Sequence, residues 1–178
     1  MKTIKTFPNL LWLLINLFFL SFFGIIILVS LEWIFEFKGF FRNSNDNKIG
    51  MLLLLILISP IFLYFYYQLS NQFTFAKISS SEIVIFQLMK LKIKTLRFEE
   101  INGYSKSKIS YGKIPLNYNS KSIVIYSKND NQFELIKIFN LNFEIFEDKL
   151  KQTKIKYFGN EQYQTEKIFK RKYKFVNK

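Results

Sequence analysis

The sequence predicts a membrane α + β protein: a two-helix transmembrane hairpin, then a small antiparallel sheet capped by one C-terminal helix. Three observations carry this. Two long runs in the first half hold no charged residue, the apolar residues beyond them break into short alternating runs, and one late segment repeats its aromatics at helical spacing. Charge placement supports the division. Residues 1–76 hold eight charged residues, whereas residues 77–178 hold 21 Lys+Arg and 10 Asp+Glu. The charged share of that second part is about 30%, slightly above an ordinary soluble domain. Composition thus divides the chain into an anchor over 1–76, a domain over 77–160 and a basic tail over 161–178. The overall charge of +13 beside 49% apolar residues averages unlike parts.

The anchor comes first. Thr6–Leu31 is 26 residues without a charge and Ile49–Ala76 is 28. About 20 apolar helical residues cross roughly 30 Å of hydrocarbon, so spans are expected at about 8–33 and 49–69. Trp12 and Trp33 stand 21 residues apart, about 31 Å along a helix. Indole rings favour the two membrane–water interfaces, and both are expected to anchor there. Tyr64, Tyr66 and Tyr67 fall where the second span leaves the membrane. Pro60 is tolerable in a membrane helix whose neighbours satisfy the freed carbonyl. A cleavable signal peptide fits less well: the apolar stretch exceeds roughly 15 residues and no small-x-small site follows it. A buried soluble hairpin would leave too little protein to cover both runs. Lys2 and Lys5 precede the first span, segment 32–48 carries no net charge, and the residues after the second span are Lys-rich. The positive-inside rule then places both termini in the cytoplasm, on a multi-pass chain of the inner membrane.

Strands follow. Glu82–Leu88 is rich in branched residues, and Leu91–Leu96 alternates apolar residues with Lys92 and Lys94, the pattern of a strand with one wet face. Gly103–Tyr111, Ser122–Ser127 and Gln132–Ile138 are further candidates. The polar group Lys128-Asn129-Asp130-Asn131 has the composition of a hairpin turn. Connections this brief leave no room for crossover helices, so the sheet is expected to be antiparallel. Phe139, Phe143, Phe146 and Leu150 then step by 4, 3 and 4, one apolar helical stripe. Asn140 or Asn142 can cap its start. Acids early and lysines late suit the helix dipole, and Gly159 marks a stop beyond it.

This order carries a resemblance over Phe73–Gly159. Ser81-Glu82-Ile83-Val84-Ile85, Arg97–Ser105, Lys121–Tyr126, Phe133–Ile136 and the stripe Phe143, Phe146, Leu150 together resemble bacterial membrane-anchored pleckstrin-homology-like (PH-like) domains. The resemblance implies a bent seven-stranded barrel capped by a helix on the cytoplasmic face. It implies no ligand and no functional residues.

Little in the chain suggests catalysis. There is no Cys and no His, which excludes disulfides, thiolate sites and the commonest metal ligand and general base. Glu99 and Glu100, on a strand, would point to opposite faces. No Asp/Asn loop has the calcium pattern, and Gly103 stands alone rather than in a phosphate loop. Asn16, Ser21, Ser30 and Ser59 suit hydrogen bonding between the spans. Neither a catalytic centre, a metal nor a cofactor is expected.

The tail Glu166–Lys178 packs Lys167, Lys170, Arg171, Lys172, Lys174 and Lys178 around Phe169, Tyr173 and Phe175. Three readings stand. It is a solvated tail in a Lys-rich chain, a contact to anionic lipid headgroups at about 1 kcal/mol per basic residue, or a surface for single-stranded nucleic acid. The last is the weakest, because Lys outnumbers Arg 23 to 3 and bidentate nucleic-acid contacts lean on Arg. The expected function is a non-enzymatic membrane protein presenting an interaction or scaffolding domain to a protein partner or to its own oligomer. An anionic-lipid sensor using Lys167, Lys170, Arg171, Lys172 and Lys174 is the alternative. A transporter or membrane-enzyme subunit rests on the spans alone.

Overall fold

The computed structural model describes residues 3–35, 48–88, 90–111, 118–129, 131–167 and 170–175. Most of segment 32–48, Asp130 of the expected turn, and Phe169 and Lys178 of the tail lie outside the described residues. In chain order the elements are β1 (Ile4–Lys5), β2 (Phe7–Pro8), α1 (Leu10–Phe35), α2 (Lys48–Gln72), β3 (Thr74–Ile78), β4 (Glu82–Gln87) and β5 (Lys92–Arg97). They continue with β6 (Ile101–Tyr111), β7 (Tyr118–Ser127), β8 (Gln132–Ile136), β9 (Asn140–Leu141), α3 (Phe143–Lys151), β10 (Tyr157–Gln162), β11 (Gln164–Lys167) and β12 (Lys170–Lys172).

Both long helices are apolar and long enough to cross a membrane. They run antiparallel: Phe19 stacks on Phe65 at 5.0 Å, and Phe62 approaches Gly24, where a Cβ would stand 3.4 Å from its ring. A small residue at such a crossing lets backbones approach. Three of the four polar side chains expected to bridge the helices bond within their own helix instead. Asn16 donates to the Trp12 carbonyl at 2.8 Å, Ser30 to Ile26 at 2.8 Å and Ser59 to Leu55 at 2.7 Å. Short polar side chains in a helix reach the carbonyl one turn back more easily than a neighbouring helix.

The segment before α1 is part of the sheets. Ile4 and Lys5 pair antiparallel with Ile78 and Lys77, and Phe7 and Pro8 with Leu141 and Asn140. Thr6 between them donates its N–H to the Ala76 carbonyl at 2.8 Å, while its hydroxyl accepts from the Ala76 N–H at 2.9 Å. The chain entering α1 and the chain leaving α2 are therefore bound side by side. β3 runs across position 76/77 and β10 across 160/161, the two points where composition divides the chain.

Two four-stranded sheets follow, ordered β1-β3-β4-β5 and β10-β6-β7-β8. All neighbours are antiparallel except β10, which lies parallel to β6. That exception to the expected antiparallel sheet arises because α3 intervenes, and the chain after it enters beside β6 in the same direction. Ile83, Ile85 and Leu96 of one sheet meet Ile123, Ile125 and Leu135 of the other, and Phe143, Phe146 and Leu150 of α3 pack into the same core. The helix is shorter than its stripe suggests. Phe139 lies before it in a 3-10 turn, buried with Leu69 and Phe73 at the foot of α2. Asn142 holds the N-cap position at φ 60° without a side-chain cap bond. Glu99 and Glu100 also lie in a 3-10 turn rather than a strand, and the Glu100 carboxylate accepts from the Arg97 N–H at 2.9 Å.

Candidate functional site

The outer face of the β6–β7–β8 sheet is covered by the chain's own C-terminal part. β10 docks on β6 because Gly103 has no side chain: a Cβ there would stand 2.6 Å from the Lys156 carbonyl and 2.6 Å from the Phe158 ring. Gly159, at φ 103°, sits at the irregularity where the register of β10 shifts. Beyond it, the residues of the basic tail alternate. Arg171 and Phe175 are buried and Tyr173 half-buried, whereas Lys172 and Lys174 face solvent. Tyr173, Phe175 and Phe158 pack against Val124 and Tyr126 of β7.

A buried charge cluster fixes this covering. Glu161 accepts from the Ser105 hydroxyl at 2.8 Å, the Arg171 guanidinium at 3.0 Å and the Lys174 N–H at 3.0 Å. The Tyr126 hydroxyl lies 3.0 Å from both its oxygens. Glu134 pairs with the same guanidinium, whose two faces meet the rings of Tyr163 and Tyr173 at 4.9 and 5.0 Å. A buried carboxylate needs this many donors, because leaving one unpaired costs several kcal/mol. Burial pushes the Tyr173 phenol up to about 12 and the Tyr126 phenol higher still. Both oxygens of the Glu161 carboxylate are hydrogen-bonded within the cluster. Its chemistry is that of a clasp.

The open site lies beside the clasp and shares Glu161 and Tyr163 with it. A groove of about 600 Å³ runs between β6, β7, β10 and the start of α3. Lys106 reaches Glu147 of α3 at 2.7 Å and lies over the Tyr157 ring at 5.3 Å. Burial opposes ionisation of Glu147, but the ammonium groups of Lys106 and Lys151 outweigh it and hold that carboxyl below its ordinary value. Lys108 and Lys121 stand directly opposite each other in the β6–β7 register, both exposed, with Gln162 next to Lys108 across β10. Like charges opposed across a sheet repel, and an acidic group placed between them relieves that repulsion. Among the described residues no group of three or more His, Cys, Asp or Glu side chains is placed to hold a metal ion.

The residues singled out from sequence divide as follows. Trp12 and Trp33 stand near opposite ends of α1, and Trp12 packs edge-on against Phe139 at 6.4 Å. Tyr64 and Tyr66 are exposed near the sheet end of α2, and Tyr67 is half-buried there. Lys172 and Lys174 are exposed. Arg171 is not a surface cation but the centre of the buried cluster. Lys167 and Lys170 are placed as strand residues of β11 and β12. Comparison with known proteins finds no matching family model, no matching curated protein and no matching solved structure. The Lys108–Lys121 pair was not singled out from sequence, since the two lysines become neighbours only through the β6–β7 register. The clasp did leave a trace: Lys170-Arg171-Lys172-Tyr173-Lys174-Phe175 alternates with period two, the mark of a strand with one covered face.

Proposed function

We propose that this chain is a non-enzymatic, multi-pass protein of the cytoplasmic membrane that presents a PH-like domain as an interaction or scaffolding module, with both ends of the helical pair facing the cytoplasm. The observation that carries the reading is the joining of both helix ends to the sheets, β1 to β3 and β2 to β9. A flexible tether would only concentrate the domain near the membrane. This double attachment also fixes which face it turns outward, so a partner of modest affinity is met at high effective concentration. The helices support the membrane placement: the most apolar windows of α1 and α2 are 11% and 0% buried within the protein, whereas a soluble core helix is largely covered. The acidic-group groove at Lys108 and Lys121 is the surface offered to a protein partner.

Photo-crosslinking from position 162, beside Lys108, in intact membranes tests this. A discrete protein adduct is expected, lost in Lys108→Glu/Lys121→Glu. Adducts to lipid alone would overturn the protein-partner reading. Orientation is tested separately with single cysteines, since the chain has none of its own. An impermeant maleimide added outside intact cells should label Asn45→Cys and spare Ser81→Cys; the reverse pattern would overturn the cytoplasmic placement.

A second reading, recognition of anionic lipid, rests on one placement. Ile109, next to Lys108, packs with Leu69 near the end of α2, which brings the lysine pair toward the foot of the anchor. Full-length protein in nanodiscs should then show a salt-sensitive preference for acidic over neutral lipid; equal behaviour in both would remove this reading.

A further inference from the structure

The groove and the clasp leave one surface unexplained, the free margin of the first sheet. β5 is the terminal strand of the order β1-β3-β4-β5, so half of its backbone N–H and C=O groups point away from β4 with no strand beside them among the described residues. Proteins usually blunt such a margin with charge. Lys92, Lys94 and Arg97 supply that charge here, but large exposed aliphatics alternate with the lysines: Leu91 is 80% exposed and Ile93 70%. Leu91 also holds φ 46°, a left-handed conformation that a bulky side chain adopts only under constraint. The constraint is visible: the Leu91 N–H bonds to the Leu88 carbonyl at 3.1 Å, and the Leu88 N–H to the Phe73 carbonyl at 3.2 Å. A turn anchored at the foot of α2 thus presents Leu91 outward. Beside the strand lies a groove of about 720 Å³ whose lining includes Lys92, Lys94, Gln132 and Phe133 and, among the described residues, no acid. Lys94 stands over the Phe133 ring at 5.9 Å.

We propose that β5 is a strand-addition site for an extended segment of another protein that alternates acidic and apolar residues. The added strand would become the fifth of that sheet. Its main chain would pair with β5, and its acids would face Lys92 and Lys94, which lie on the side of buried Leu96. Its apolar residues would cover Ile93 on the opposite side, where Thr95 and Arg97 also point. Charge complementarity selects this occupant. A second copy pairing edge to edge would set Lys92 and Lys94 against the same basic strand, the arrangement that cross-strand repulsion disfavours. The inference rests on the interaction reading above and names the chemistry of a partner.

The test uses the full-length protein in nanodiscs of neutral lipid and a synthetic eight-residue peptide alternating Glu and Val. The peptide is expected to bind with a salt-sensitive affinity that Lys92→Glu/Lys94→Glu weakens at least about tenfold, or about 1.4 kcal/mol. A peptide N-methylated at alternate amides should fail to bind, while Lys172→Glu/Lys174→Glu should leave binding unchanged. Equal binding of an alternating Lys–Val peptide, or full binding of the N-methylated one, would overturn strand addition. Binding in place of the peptide to acidic-lipid nanodiscs, abolished by the same β5 variant, would assign the edge to a membrane surface and overturn it too. Crosslinking from position 162 separates the two levels. A protein adduct that survives in the β5 variant, with no peptide binding, sinks the edge proposal and spares the interaction reading. Peptide binding without any protein adduct sinks the groove's role instead.

Discussion

Glu161 is held by four donors from three parts of the chain, and its removal leaves Arg171 beside two tyrosine rings with Glu134 as its remaining carboxylate. Breaking one side of a buried ion pair costs about 3–5 kcal/mol, whereas replacing both partners by apolar residues is often neutral. Glu161→Gln is therefore expected to lower stability by about 3 kcal/mol in denaturant unfolding of the detergent-solubilised protein. Glu134→Leu/Glu161→Leu/Arg171→Met, which removes every charge of the cluster, should recover most of that loss; no recovery would show that the charges are not the cause. Tyr126→Phe removes one hydroxyl donor and should cost about 1 kcal/mol. Alkaline pH probes the same place. The Tyr173 phenol ionises near 10.0 when unfolded and at about 12 when folded. Its neutral form thus contributes stability fully present below pH 10 and lost by about pH 12, and Tyr173→Phe should flatten that part of the decline in midpoint temperature.

Among the elements, β10 depends on a glycine outside itself. Gly103→Ala would push a Cβ to 2.6 Å from a backbone oxygen, and overpacking of that kind costs about 1–3 kcal/mol. The effect should fall on the C-terminal cover, seen as faster amide exchange in β10 with β3 and β4 unchanged. Uniform exchange across both sheets would refute this assignment. These elements also show what could be read beforehand. β4, β6, β7 and β8 lie where branched and alternating residues put them, because each buries at least one face of an antiparallel strand; β5 forms where expected but with its faces reversed, since Lys92 and Lys94 lie on the side of buried Leu96 while Ile93 is exposed. Ser122–Ser127 reads as a continuous apolar run since Ile123 and Ile125 face the core while Val124 and Tyr126 face the cover, and runs of that kind mark strands buried on both sides. Tyr157-Phe158-Gly159-Asn160-Glu161-Gln162 was hidden by its polarity and its glycine, which propensity counts against a strand. β1 and β2 were hidden by their length, since two residues define no period. The lysine pair depended on a register, and a register is a property of two strands together.

At the scale of the whole molecule, the helical pair and the sheets form one body through the short strands before α1. Thr6 exchanges backbone and side-chain hydrogen bonds with Ala76 across 70 positions of sequence. Thr6→Pro removes its N–H and hydroxyl, leaves the Ala76 groups unsatisfied, and should cost about 2–3 kcal/mol. The expected readout is a lower melting temperature of the solubilised protein, accompanied by new protease cleavage near Lys77. A substitution before the first helix with no effect on the sheets would refute the joined-body description. The same pairing orders events during synthesis. Ile4 must await Ile78, and Phe7 must await Leu141, so the earliest strands leave the ribosome long before their partners exist. Contacts this distant close slowly. If both helices insert in the membrane, the sheet can be completed only when α2 has returned the chain to the side where Ile4–Pro8 waits. Closure of the first sheet would then report that the anchor has been threaded correctly, and a chain with one helix uninserted would expose its unpaired strands to quality-control proteases.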